Sequence, residues 1–292
     1  MAFDLNNFVI DRVVRGIATD VKTGDVLFSI NQITNPSLSC TAESTDAVDA
    51  LNVPIATFYR AKSAEFSAEN ALFDMNLMAT QSGTVKKTAS STAIIDAPCF
   101  QTFDIQAPTE GGATTVTLTL SHTPLETAGH YVKVYVLNGD GTLGAALTAS
   151  TTSTPTGRTS FARSGATITL AYTTADADKD GVGDAGFLAG EQIFVMYDYA
   201  ANGSEKNGAV EVANSATKFP VGCKFVMEIL GADVCDQTNL IYAYLIFPNA
   251  KLSPDFDWSI ATDSTHPFSM KAMQELSLLT NVGNTLLSSR VA

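Results

Sequence analysis

Charged side chains are scarce in this sequence of 292 residues. Only 16% of the residues are Asp, Glu, Lys or Arg, against about a quarter in an average soluble domain. The charge is mainly acidic, with 17 Lys and Arg against 30 Asp and Glu and a net charge of −13. A chain so poor in cations is not expected to grip nucleic acid. The hydrophobic content of 45% and the length of 292 residues predict one large folded domain or two ordinary ones.

Long apolar runs are also missing, and the first residues show no signal-peptide pattern. The longest apolar run, Leu240 to Phe247, is less than half of the 20 or so residues that span a bilayer. The first residues, Met1 to Asn7, lack the basic start and apolar block of a signal peptide. No membrane association is therefore expected.

The four cysteines are widely separated and include no Cys-x-x-Cys pair. They lie in or beside apolar stretches, which favours buried free thiols and assembly in a reducing cytoplasm. These residues are Cys40, Cys99, Cys223 and Cys235.

Motifs for catalysis are absent too. None of the three histidines has a second histidine three or four residues on, and no Gly-x-Ser-x-Gly elbow, phosphate-binding loop or dinucleotide fingerprint occurs. We predict no catalytic residue and no cofactor-binding residue. An enzyme built from distant residues is the third-ranked alternative.

Strand patterns dominate the chain. Thr115–Leu120 and Ala166–Leu170 alternate apolar and polar residues, as half-buried strands do. The Asn138–Gly141 turn after Val132–Leu137 predicts a hairpin. Further predicted strands are Val26 to Ile30, Gln192 to Tyr199, Lys224 to Leu230, Leu240 to Phe247, and Phe256 to Ile260 with the single tryptophan, Trp258.

One helix is predicted, with Ser67 as its cap, Glu69 in its first turn and Gly83 just past its end. The segment Ser269–Leu279 fits either a helix or a strand. The predicted fold class is mainly β, a β-sandwich or barrel-like fold with one packed α-helix and extended loops or arms.

The middle of the chain, residues 105–187, is richer in Thr and Gly than the rest. It is either an immunoglobulin-like β-sandwich insertion into a body made of residues 1–104 and 188–292, or the middle strands of one larger sandwich.

An acidic loop is the sharpest local motif. Carboxylates at loop positions one, three, five and nine around Gly181 supply the oxygen ligands that Ca²⁺ prefers. The spacing resembles the short calcium loops of thrombospondin type 3 and dockerin repeats, although only one copy is present. The alternative is an acidic hairpin connection, and Ca²⁺ is the only ion suggested. The candidate ligands are Asp176, Asp178, Asp180 and Asp184.

Two longer stretches carry a family resemblance. In the first, Gly24–Phe28 and Thr34–Cys40 are followed by Ala61–Phe66 and by Ala68–Leu77, which contains Asn-Ala-Leu-Phe-Asp.

The second stretch runs from Ala216–Pro220 through Ile241–Lys251, which ends in Pro-Asn-Ala-Lys, to the late Pro-Phe-x-x-Lys-Ala of His266–Ala272. Together these stretches resemble bacteriophage major tail tube proteins and their relatives of the tube and tail-terminator fold.

This resemblance implies a virion structural protein that is not an enzyme. Its subunits would stack as rings into a hollow conduit for genome delivery, with copies of itself and other virion tail proteins as partners. DNA would pass through without specific binding, and assembly would take place in the host bacterial cytoplasm.

We expect the contacts between rings in Ser39–Val53 and in the N-terminal arm Met1–Arg15. The individual candidates for subunit contacts or for the lumen are Glu43, Asp46, Asp49, Arg12 and Arg15. Ser39–Ala56 is expected to be a mobile polar loop.

Two other functions fit the composition. One is another virion component, such as a head decoration protein or a tail completion protein. The other is a Ca²⁺-dependent surface-binding β-module, which the acidic loop supports.

Overall fold

The computed structural model describes residues 7–178, 180–204, 207–234, 236–273 and 276–281. These residues form a mainly β protein with one α-helix, which confirms the predicted fold class. The chain divides into two compact units: unit 1 comprises residues 1–86 and 212–292, and unit 2 comprises residues 87–211.

The elements follow one another along the chain in this order: β1 Phe8–Asp20, β2 Val26–Ile30, β3 Ile33–Val48, β4 Pro54–Asn70, α1 Met75–Gln81, β5 Lys87–Thr88, β6 Ile95–Asp104, β7 Thr115–Thr119, β8 Lys133–Leu137, β9 Leu143–Ala149, β10 Ser160–Ser164, β11 Thr167–Ala171, β12 Gln192–Ala201, β13 Val210–Glu211, β14 Gly222–Asp233, β15 Asp236–Leu252, β16 His266–Ala272 and β17 Ser277–Asn281.

Unit 1 is built on one antiparallel sheet with the strand order β2-β1-β14-β15-β16-β4-β3, and β17 pairs with β15. Alternate residues of these strands point to one face and form the core of unit 1. Several of these buried residues are phenylalanines. The ring of Phe66 lies 5.7 Å from Phe225, 5.8 Å from Phe247 and 6.0 Å from Phe268, measured between centroids. Phe66 is therefore at the centre of this core.

The single helix is shorter than predicted. Ser67 and Glu69 belong to β4, in which Phe66, Ala68 and Asn70 alternate as buried residues. The helix begins at Met75, and Asp74 is its cap: Asp74 Oδ1 accepts the backbone N–H groups of Asn76 and Leu77. The predicted cap at Ser67 is wrong because the alternating burial of β4 overrides the helical spacing.

Unit 2 contains a seven-stranded sheet with the order β6-β12-β8-β9-β10-β11-β7. The predicted hairpin is confirmed, since β8 pairs antiparallel with β9. Strands β6 and β12 pair along their whole lengths, so unit 2 extends beyond the expected middle segment, residues 105–187, on both sides. Its core includes Ile105, Ile168, Leu170, Phe187 and Ile193, all fully buried.

Two other local predictions need correction. Residues 256–260 form no strand; the ring of Trp258 instead stacks on Phe73, with 4.5 Å between centroids. The ambiguous segment 269–279 is strand in β16 and β17, with no helix among its described residues.

The cysteines differ in exposure. Cys223 is buried and Cys99 half-buried, but Cys40 is exposed, so the prediction of a buried thiol is wrong there. These three are free thiols, and Cys235 lies outside the described residues.

Candidate assembly surface

The most exposed element of unit 1 is the outer part of the β3–β4 hairpin. Strand β16 pairs with β4 only as far as Glu65, and beyond that pair β3 and β4 continue as a two-stranded ribbon. We call residues 40–64 the arm. At about 3.3 Å per residue, a straight ribbon of this length extends about 35 Å. The segment Ser39–Ala56 is thus part of a regular hairpin, so the expectation of a loop is wrong there, and its mobility in the free subunit stays a prediction.

The arm exposes large apolar side chains instead of burying them. Leu51 is 84% exposed, Tyr59 74% and Ile55 72%. Every side chain described between residues 40 and 62 is exposed, so the arm has no buried face. Its exposed large apolar residues are Val48, Leu51, Val53, Ile55, Phe58 and Tyr59.

The tip of the arm is a turn that side-chain hydrogen bonds stabilise. Asp49 Oδ1 accepts the backbone N–H groups of Leu51 at 2.8 Å and Val53 at 2.9 Å. Asn52 has a φ of 64°, a left-handed conformation that Asn tolerates better than most residues. Asp49 therefore shapes the tip.

The other two acidic candidates lie along the ribbon. Glu43 is opposite Arg60, and Asp46 is opposite Thr57. Both acidic side chains are exposed. Their positions make them available for contacts with another molecule, and Asp46 is close to the apolar tip.

The basic candidates lie on β1. Arg15 Nε is 2.7 Å from Glu228 Oε2 on the neighbouring strand β14, an ion pair within unit 1. Arg12 Nη1 is 3.6 Å from Asp11 Oδ2, and both side chains are largely exposed. Residues 1–6 of the predicted N-terminal arm lie outside the described residues.

The root of the arm lines a groove. The edge of β4 next to β16 has no strand partner among the described residues beyond Glu65. A groove of about 720 Å³ lies there, between the arm and the chain that follows β16. Its lining residues are Cys40, Thr41, Ala42, Lys62, Ser63, Ala64, Ala272, Met273 and Leu276. An unpaired edge of this kind can accept a strand from another chain.

The acidic loop of unit 2 brings three of its four predicted ligands together. Oxygens of Asp176, Asp178 and Asp180 lie within 4.8 Å of one another. The nearby charge of Asp180 raises the pKa of the exposed Asp178, and slight desolvation raises it further. Asp184 Oδ2 accepts the N–H of Ala177 at 2.9 Å, which closes the loop. Carboxylate oxygens are the ligands that Ca²⁺ prefers. Binding of Ca²⁺ to this loop stays a prediction.

Sequence reasoning missed the exposed apolar residues of the arm. The spacing of Val53, Ile55 and Tyr59 is a signal of period two that could have located the outer part of β4. Nothing local in the sequence pointed to the groove.

The described residues form a mainly β protein with a long exposed hairpin. A family model described as the YomU/Tube protein family matches residues 8–284. The chain belongs to this family, which is consistent with the resemblance to phage tail tube proteins. It is a tube-like structural protein of a phage, and the family implies a virion component that assembles with other tail subunits.

No curated protein matches this chain significantly. Within the described residues the helix of seven residues is far too short to cross a membrane, and no membrane-spanning helix is found.

Proposed function

We propose that the chain is the tail tube subunit of a tailed phage. Its copies stack as rings into the hollow conduit through which the genome is delivered, and no chemical step is involved. Family membership supports this proposal, and the observation that carries it is the arm.

The arm is poorly suited to an isolated subunit. A two-stranded ribbon in water is at best marginally stable on its own, and this one exposes six large apolar side chains. Burial against neighbouring subunits would remove that apolar surface from water and cover the free strand edges. The arm is therefore proposed as the main contact between rings.

The charge of the chain supports passage of DNA. A net charge of −13 gives a predominantly negative surface, which repels phosphate groups. A lumen with this charge would let the genome slide without binding, and Glu43 is a candidate for its lining.

Electron microscopy of the concentrated, purified protein tests the proposal. We expect hollow tubes with a regular axial repeat. Monomers or closed rings alone, also in the presence of other tail proteins, would contradict a tube subunit and would favour a decoration or completion protein.

A shortened arm tests which element carries assembly. Replacing residues 42–62 with Asn-Gly keeps the Thr41–Ser63 pair and closes it with a tight turn. We expect this variant to fold, as judged by thermal unfolding, but to form no tubes.

Matched point variants refine this test. Leu51→Ser with Ile55→Thr makes the arm polar, whereas Ile260→Thr changes an isoleucine that is 88% exposed outside the arm. Assembly should be lost only in the arm variant. Equal assembly of the two proteins would count against the arm.

A further inference from the structure

A second groove lies on the exposed face of the unit 1 sheet. It has a volume of about 340 Å³, and strands β4, β15 and β16 contribute to its lining. Phe219 and Met273 form apolar parts of that lining and are 62% and 60% exposed. The groove therefore offers apolar surface that unit 1 leaves open to water.

Two lysines lie in the same groove. Lys251 on β15 is directly opposite Lys271 on β16, and both are exposed. Directly opposed side chains have Cβ atoms about 5 Å apart, a spacing at which like charges destabilise the pair. Glu65 on β4 is opposite Lys271 and can compensate one charge. One positive charge remains in excess, in a chain with few cations.

The groove thus suits an occupant that is both apolar and acidic. The tip of the arm, residues 46–55, has this composition, with Asp46 beside the exposed Val48, Leu51, Val53 and Ile55. We propose that the arm tip of one copy docks in this groove of a second copy. This inference rests on the proposed function, and it identifies the receiving surface.

The occupant must come from a second copy because of the geometry of β4. Glu65 lines the groove and lies at the root of the arm, whereas the tip is about 35 Å further along the same ribbon. A subunit could place its tip in its own groove only by breaking the β3–β4 pairing.

Charge reversal tests the contact. Lys251→Glu places an acidic side chain opposite Lys271, an attractive cross-strand pair, so the sheet should keep its stability. Asp46→Lys changes an exposed position that takes no part in the tip turn. Each single variant should raise the protein concentration needed for assembly about five- to tenfold.

The double variant is the decisive protein. Asp46→Lys with Lys251→Glu restores opposite charges between positions 46 and 251, so assembly should return to within about twofold of wild type. Lys22→Glu, the same charge change in an exposed turn, is the control and should assemble normally. Wild-type assembly of both single variants, or no recovery in the double variant, would overturn the contact. Failure of the wild-type protein to assemble would instead count against the proposed function.

A second measurement needs no substitution. A carbodiimide joins carboxylates to amines at zero length, so in wild-type tubes it should link Asp46 to Lys251 or Lys271. Mixing isotope-labelled and unlabelled subunits before assembly should place this link between chains. Its absence, or its occurrence only within single chains, would overturn the proposal.

Discussion

Arg158 and Glu191 form a two-point ion pair in unit 2. Arg158 Nη1 donates to Glu191 Oε2 at 2.8 Å, and Nη2 donates to Oε1 at 2.7 Å. The side chains are only 22% and 11% exposed. Arg158 also donates to the carbonyl of Gly186 and lies over the ring of Phe187. The pair joins the segment before β10 to the segment before β12.

Removing this arginine should be costly. Arg158→Met leaves the Glu191 carboxylate largely buried without its cation, and we expect a loss of about 3 kcal/mol in unfolding free energy. Urea denaturation measures this loss. Arg163→Met is the matched control, because its partner Glu126 is 70% exposed and such pairs contribute about 1 kcal/mol or less. Equal losses would contradict our account of the buried pair.

His266 should make unit 1 sensitive to acid. Burial lowers the pKa of His266, and the charge of Asp74 opposes this effect. His266 Nε2 is 2.8 Å from Gln81 Oε1, so the neutral ring donates to the amide oxygen. Because the unfolded chain binds the proton more readily, stability should fall as pH drops below about 6.5. Thermal unfolding from pH 7.5 to 5 measures this dependence.

The control for that measurement is His266→Gln, which removes the titrating ring. This variant should be less stable at pH 7.5, by about 1–3 kcal/mol, and should lose less stability on acidification than the wild type. An unchanged pH profile would show that other groups cause the acid sensitivity.

Gly83 should tolerate no side chain. Its φ is +64°, and an added Cβ would collide with the backbone of Phe219. Gly24 has a similar φ of +78° but open space around it. We expect Gly24→Ala to cost about 1 kcal/mol for the backbone conformation alone, and Gly83→Ala to cost about 3 kcal/mol. Similar losses in chemical denaturation would contradict the predicted collision.

Calcium should bind weakly to the acidic loop. Three carboxylates within reach of one ion favour a dissociation constant of about 10⁻⁴ to 10⁻³ M. Calorimetric titration should show binding that Asp178→Asn with Asp180→Asn removes and that Asp140→Asn, in another exposed turn, leaves intact. A wild-type protein with no binding heat and no thermal stabilisation by millimolar Ca²⁺ would show an ordinary acidic connection.

The thiols should differ in reactivity. Cys40 is exposed, whereas Cys223 is buried, and burial, with a smaller effect of the charge of Asp20, raises the pKa of Cys223 to about 11. At pH 8 an alkylating reagent should modify Cys40 in the folded subunit and Cys223 only after unfolding. Peptide mass spectrometry with Cys40→Ser as the control checks this difference. Rapid modification of Cys223 in the folded protein would contradict its burial.

The sequence predicted those strands that have one buried face. In β7 and β11, alternate residues enter the core of unit 2, and the apolar pattern records this directly. The arm has no buried face, so its β3 half carries no such pattern, and only the period-two spacing of Val53, Ile55 and Tyr59 in β4 distinguishes it from a polar loop. At Ser67 and Glu69, features typical of a helix start occur within a strand, and only the packing of Phe66 decides between the two.

The candidate assembly surface also has features that the sequence predicts and features that it does not. Acidic residues of the arm could be named because charge is a property of single residues. The groove that contains Lys251 and Lys271 could not be predicted, because these two lysines become neighbours only through the register of β15 and β16. The extent of unit 2 likewise depends on the pairing of β6 with β12, whose residues are about a hundred positions apart.

The chain enters and leaves unit 2 through β5 and β13, which pair side by side, with Lys87 Nζ 3.1 Å from Glu211 Oε2. When the two ends of an inserted domain are adjacent, the host domain can keep its fold whatever the length of the insertion. An engineered protein can therefore carry a larger, smaller or different unit here while the arm stays intact. The same junction is a natural grafting point for a foreign domain.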